Sequence, residues 1–215
     1  MEALPVFVSV GATANTEQEE FVRAVEERLR SEGLVPYTVG RNTFTSDAPL
    51  KAVTELLDKA SGTVVIALER SFFPSGLEKR GGPREAKLEN VKLPTPWNHI
   101  EAAMAYARGQ PLLVIMEAGL KSEGLLESGY DWYVQWVEPT RSALSTLEFN
   151  GVLASWKAKV EIRAKTPPTA PLSKPTADLT IGELVSGLRP AQLWGLLAAV
   201  AALIAGAFAL GAKLH

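Results

Sequence analysis

The chain has 215 residues, no cysteine, two histidines and a formal net charge of −2 at neutral pH. Without thiols, disulfides and zinc-thiolate sites are excluded, and His99 and His215 alone are too few for a histidine-based metal centre or a Ser-His-Asp triad. Nearly balanced charge offers no basic surface of the kind that binds nucleic acid, so neither a metal nor a nucleic-acid partner is expected.

Taken in order, residues 5–10 form a short apolar run that reads as a strand. Residues 17–31 show helical spacing through Phe21, Val22, Val25 and Leu29, closed by Gly33. Residues 34–39 read as a second strand and residues 49–59 as a second helix, with Leu50, Val53, Leu56 and Leu57 on one stripe. Residues 63–68 (TVVIAL) are apolar throughout, the mark of a strand covered on both faces. Residues 96–108 predict a third helix, with Thr95 able to cap it and Pro96 suited to its first turn. Residues 111–116 (PLLVIM) predict a fourth buried strand, residues 132–137 a fifth, and residues 141–162 a last helix. Repeated strand-helix units with short links predict an α/β domain over residues 1–165, a flavodoxin-like doubly wound parallel sheet of about five strands. One long connection, residues 69–95, interrupts the rhythm and is expected to be a solvated, mobile insertion or a binding lid.

Beyond the domain, residues 166–179 are a proline-rich spacer. Residues 180–190 predict a short amphipathic helix, since Thr180 and Glu183 match a capping box and Ile181, Leu184, Val185 and Leu188 form a stripe. Residues 193–212 are uncharged and apolar without interruption, enough for a transmembrane helix over residues 191–213 that spans roughly 30 Å of hydrocarbon. No secretory signal is visible, so the expected topology is a single-pass, tail-anchored membrane protein with its N-terminal domain in the cytoplasm. Ala198, Ala202 and Gly206 recur every four residues, a spacing that lets such helices approach closely and suggests a homo-oligomer.

In open parallel sheets, ligands bind outside the carboxyl ends of the strands. The first loop there, GATANT, leads into a helix N-terminus, where Gly11, Ala12 and Thr13 are candidates to receive a phosphate, although Glu17, Glu19 and Glu20 in the next turn would repel an anion. In GRNTFTSD, Arg41 and Asn42 suit a phosphate or ribose, or else form a polar turn in which Asp47 caps the following helix. Arg70 and Asn98 complete the candidate substrate-binding set. In the third helix, PWNHIEAAMAYARG, Glu101 is a lone acid among small residues, with Trp97 one turn earlier on the same face. A carboxylate so placed can stabilise positive charge developing on a ribose ring or attack the anomeric carbon, whereas an ordinary helix Glu is simply solvated.

The run PLKAVTELLDKASGTVVIALERSFF followed by PWNHIE resembles the Toll/interleukin-receptor (TIR) domain, where a helix and a strand lead to a Trp and, four residues on, a Glu. The continuation IEAAMAYARGQPLLVI is similar to the nucleoside 2-deoxyribosyltransferase family, whose catalytic Glu opens a helix of small residues ending in Gly-x-Pro. Both resemblances imply that Glu101 is catalytic at an N-glycosidic bond, and Trp97, matched by the Toll-type resemblance, is the candidate to stack on a base or nicotinamide. In this chain Pro96 and Asn98 replace the serine and cysteine that flank the Toll-type Trp, and the first loop lacks the glycine-proline pattern of the transferases. Nucleotide-sensing domains of bacterial immune effectors with LOG-like folds accommodate such changes. The function expected is a membrane-anchored nucleotide-handling effector of a bacterial antiphage or stress system. It would cleave NAD or a related nucleotide, which is substrate or ligand and not a cofactor. The alternative is a non-enzymatic sensor of a nucleotide second messenger whose transmembrane helices cluster and disrupt the membrane.

Overall fold

The computed structural model describes residues 3–166, an α/β domain built on a five-stranded, wholly parallel sheet. The spacer, the amphipathic helix and the transmembrane helix expected over residues 166–213 lie outside the described residues, apart from Thr166. Among the described residues, no helix is long and apolar enough to cross a membrane.

The chain runs β1 (Leu4–Val10), α1 (Thr16–Ser31), β2 (Leu34–Tyr37), α2 (Pro49–Lys59), β3 (Thr63–Ala67), β4 (Ser71–Glu78), β5 (Ala86–Leu93), α3 (Pro96–Ala107), β6 (Leu112–Glu117), β7 (Tyr133–Val137) and α4 (Leu147–Lys165). The sheet order is β2-β1-β3-β6-β7, the doubly wound order in which the chain reverses direction across the sheet between β1 and β3. The register is continuous there, with Ser9 opposite Val65 and Val10 opposite Ile66.

Continuous apolar strands follow from burial on both faces. Val6, Val8, Val64, Ile66, Leu113 and Ile115 point to one side, against Phe21, Val25 and Leu29 of α1 and Phe149, Leu153 and Trp156 of α4. Phe7, Val65, Ala67, Val114 and Met116 point to the other, against Val53 and Leu57 of α2 and Ala102 and Ala105 of α3. The small side chains of α3 let that helix lie close on β1 and β3, which brings its first turns to the reversal point.

Several sequence expectations are corrected. Residues 69–95 are not an unstructured insertion: they form an antiparallel ribbon of β4 and β5, pairing from Ser71 with Leu93 to Glu78 with Ala86. The expected last helix is two elements. Arg141–Ser145 is a separate 3₁₀ turn, and Thr146 caps α4 by accepting the Phe149 amide at 3.1 Å. Its hydroxyl competes with helix continuation, so the backbone breaks there. Asp47 does not cap α2, whose preceding residue is Ala48; the Asp47 carboxylate instead pairs with Lys51 at 2.9 Å.

Candidate functional site

The carboxyl ends of β1 and β3 meet the N-termini of α1 and α3. α1 begins at Asn15, whose side chain accepts the Gln18 amide at 2.8 Å, while the Gln18 side chain accepts the Ala14 amide at 2.8 Å and donates to the Glu69 carbonyl at 3.0 Å. Two of the amides that could have received a phosphate, those of Ala14 and Gln18, are therefore already satisfied by side chains of this turn. Thr13 donates its hydroxyl to Glu19 at 3.0 Å.

Arg41 turns back over α1, where its guanidinium grips Glu19 through two 2.9 Å bonds and reaches Glu26 at 3.3 Å. The Arg41 hydrogen bonds dominate the Glu19 environment and hold its carboxyl down at about 2. Asn42 is also used internally, accepting the Thr38 amide at 2.8 Å and donating to the Pro36 carbonyl at 2.9 Å. Neither residue comes to the β1/β3 junction in an uncommitted state.

α3 is arranged differently. Thr95 caps it with a long 3.4 Å bond to the Trp97 amide. Gly11 at the end of β1 packs directly beneath that cap, since a Cβ there would come within 2.9 Å of Thr95 Cγ2. Asn98, 1 % exposed, straddles the two strands: its Nδ2 donates to Ser9 Oγ at 3.0 Å and lies 3.4 Å from both the Ser9 and Ile66 carbonyls. Its Oδ1 is buried without a hydrogen-bond partner among the described residues. One turn on, Glu101 has its carboxyl pushed up to about 7 by burial, the nearby Ser9 hydroxyl acting in the opposite sense by favouring the charged form. With a lone pair of Ser9 taken by Asn98, the Ser9 proton is available to Glu101.

Trp97, in the first turn of α3, is 42 % exposed and lies one helical turn before Glu101. Arg70, exposed on the segment after β3, reaches the Ala12 carbonyl at 3.3 Å and, among the described residues, has no carboxylate within ion-pair distance. The crevice between the strand ends is lined by Gly11, Ala12, Thr13, Arg70, Thr95 and Asn98 among others, with a free volume of about 10 Å³, room for one water. A larger ligand would lie over its lip.

Of the sequence candidates, the structure gathers Gly11, Ala12, Thr13, Arg70 and Asn98 around one crevice and places Trp97 and Glu101 on the helix beside it; Arg41 and Asn42 are turned to α1 and β2. Ser9 and Gln18 were missed. A lone hydroxyl inside the apolar strand VFVSV was the available signal for Ser9. Acids and a lysine also collect at this edge: Glu69 accepts Lys92 at 2.8 Å and gives its own amide to Glu117 at 2.7 Å, tying the foot of the β4–β5 ribbon to the sheet.

No family model matches the sequence, and no curated protein does. Among solved structures, the chain is similar to a CMP N-glycosidase, BcmB, of Clostridium botulinum, at 14 % identity and a TM-score of 0.40, covering 68 % of this chain and 98 % of that one. It is also similar to a flavodiiron core, Flv1, of Synechocystis, at 13 % identity and a TM-score of 0.41, covering 76 % of this chain and 37 % of that one. Neither likeness assigns an activity to this chain.

Proposed function

We propose that the domain handles a nucleoside or nucleotide over the β1/β3 crevice and that Glu101 acts on its N-glycosidic bond. The observation that carries this reading is a carboxyl held near neutrality by burial at the point where the sheet reverses, with Ser9 and Asn98 fixed behind it. Near pH 7 such a group is present in both forms, so it can face a ribosyl C1′ as a carboxylate while positive charge develops there. Water then bonds to C1′ as the carbon–nitrogen bond breaks; the proton lost by the water ends on the departing base of a nucleoside, or in solvent where the leaving group is nicotinamide, which departs neutral. Trp97 offers its indole face for the base or nicotinamide, and Arg70 offers an uncommitted cation for phosphate. Ser9 orients Glu101 and is itself held by Asn98, which also lines the crevice.

The test is release of free base from NAD and from a panel of nucleosides and nucleotides by the full chain in detergent, with and without cyclic-nucleotide activators. Glu101→Gln is expected to lower the rate by about 10²–10⁴-fold. Intact substrates under every condition, or undiminished release by Glu101→Gln, overturn the assignment.

Membrane attachment through residues 191–213, a domain facing the cytoplasm, and service in a bacterial antiphage or stress response belong to the same proposal, from the apolar run and the Toll-type resemblance. The small residues Ala198, Ala202 and Gly206 favour a second reading, in which the crevice holds a nucleotide signal without turnover and the homo-oligomer disrupts the bilayer. Binding measured by calorimetry with the nucleotide recovered intact would favour it over hydrolysis.

A further inference from the structure

The β4–β5 ribbon contains no buried residue in either strand. Isolated two-stranded hairpins are marginal in water, and large apolar side chains left on both faces call for a cover. Phe72 and Phe73 are each 49 % exposed and Leu77 is 47 % exposed. The pairing sorts them: Phe72 sits opposite Lys92, on the face tied to Glu69 and Lys121, whereas Phe73 opposite Val91 and Leu77 opposite Lys87 share the other face.

The charges around that second face lean positive, with Glu89, opposite Ser75, the acid that lies on the face itself. Lys79, Arg80, Arg84 and Lys87 are all exposed, and among the described residues none has a carboxylate within ion-pair distance. One nearby acid, Glu78, is spent on Lys121 at 3.2 Å; Glu85 keeps its charge and accepts the Gly81 amide at 2.6 Å within the turn. Against the four cations, Glu85 and Glu89 are the acids of this ribbon without a cationic partner among the described residues. A protein of net charge −2 thus concentrates unpaired positive charge beside its most exposed apolar strand.

We propose that this ribbon is a lipid-contacting element, laying Phe73 and Leu77 into the interface of an anionic bilayer while Lys79, Arg80, Arg84 and Lys87 meet the headgroups. Shallow aromatic and aliphatic insertion next to basic side chains is how peripheral elements hold an anionic leaflet. A second copy of the ribbon is a poorer occupant, because a two-fold pairing of this face would set the same cations against one another. Nucleic acid would use the cations and can stack a base on Phe73, but it gives the aliphatic Leu77 beside it no apolar partner. The inference is independent of the role of Glu101, because its readout involves no turnover.

The absence of cysteine makes the test direct. Leu77→Cys and, on the exposed surface of α4, Ser155→Cys are each labelled with an environment-sensitive fluorophore in the full chain. Each is then reconstituted into vesicles of phosphatidylcholine alone or mixed with phosphatidylglycerol. The position-77 label is expected to shift to the blue, to be quenched by nitroxide on the lipid acyl chains and to be shielded from aqueous iodide, in the anionic vesicles only. The position-155 label stays in water in both. Lys79→Glu, Arg80→Glu and Arg84→Glu together abolish the shift at position 77. A position-77 label as open to iodide as the one at 155 overturns the proposal. So does shielding that persists in neutral vesicles and in the charge-reversed variant, which assigns the face to a protein surface. Displacement of the shift by added RNA, with no acyl-chain quenching, assigns it to nucleic acid and equally overturns it.

Discussion

At the amino end of α1, Glu19 accepts two bonds from Arg41, one from Arg23 and one from Thr13, while Asn15 and Gln18 occupy the amides of Gln18 and Ala14. At the amino end of α3, on the other side of the same strand, Glu101 has a serine hydroxyl nearby, a buried asparagine behind it and no cation among the causes of its shift. One acid is held at about 2 and the other rises to about 7. Charge pairing therefore wins at α1 and desolvation wins at α3. The contrast separates a helix end built for stability from one in which strain on the ionised form is tolerated, the usual mark of a working group.

Breaking the α1 side should cost most. Arg41→Ala removes the cation that bridges Glu19 and Glu26 and leaves each acid with only its more exposed helix partner, Arg23 or Arg30; the Arg41, Glu19 and Glu26 side chains are 22 %, 26 % and 10 % exposed. We expect a loss of about 2–4 kcal/mol at pH 7 in urea titrations, at the low end if water enters the gap. The sign follows from the lowered Glu19 value. Its stabilisation is complete above the ordinary carboxylate range, near 4.5, and fades as pH falls through about 2. The deficit of Arg41→Ala should shrink over that same window. A deficit that is flat down to pH 2 would mean that Arg41 acts through packing alone.

Glu101 gives the mirror image. Its raised value means that the folded state binds the proton more tightly than the unfolded chain, so its contribution is complete below about 4.5 and is lost as pH rises through about 7. Glu101→Gln removes the half-buried charge and keeps the shape. We expect it to be isoenergetic with the parent near pH 4.5 and more stable by about 1–3 kcal/mol at pH 8. At this domain size that is a Tm rise of about 2–4 °C per kcal/mol. A variant that loses both activity and stability at pH 8 would place Glu101 in a structural network instead.

Much of this architecture could be read from residue order. TVVIA and LLVIME are apolar without alternation because helices cover both faces, and Thr95-Pro96 announces α3 because a cap and a φ-locked first turn need no tertiary help. The ribbon could not be read. SFFPSGLE and AKLENVKL alternate poorly, Pro74 removes a ladder donor, and the turn between them is long and lacks a two-residue hairpin signal. The fate of Arg41 was equally hidden, since its partners lie 22 and 15 residues earlier and meet it only when the loop after β2 folds back on α1. Glu101 was legible as an odd acid among alanines, but Ser9 and Asn98 became its support only when β1, β3 and α3 were placed together.

The smallest stability effect should sharpen the comparison most, because it concerns the second arginine at this edge. Arg70 is exposed and makes one 3.3 Å bond to the Ala12 carbonyl. Its charge is uncommitted among the described residues, whereas that of Arg41 is spent. Arg70→Ala should therefore change stability by no more than about 0.5 kcal/mol. If the crevice lip receives a phosphate, the same substitution should raise KM for a phosphorylated substrate by roughly tenfold, the worth of one charge-assisted bond, and leave KM for the parent nucleoside unchanged. Equal effects on both substrates would move Arg70 from phosphate recognition to shaping the GATANT loop. No effect on either would place the ligand on the far side of Trp97, toward α2, where Arg70 cannot reach it.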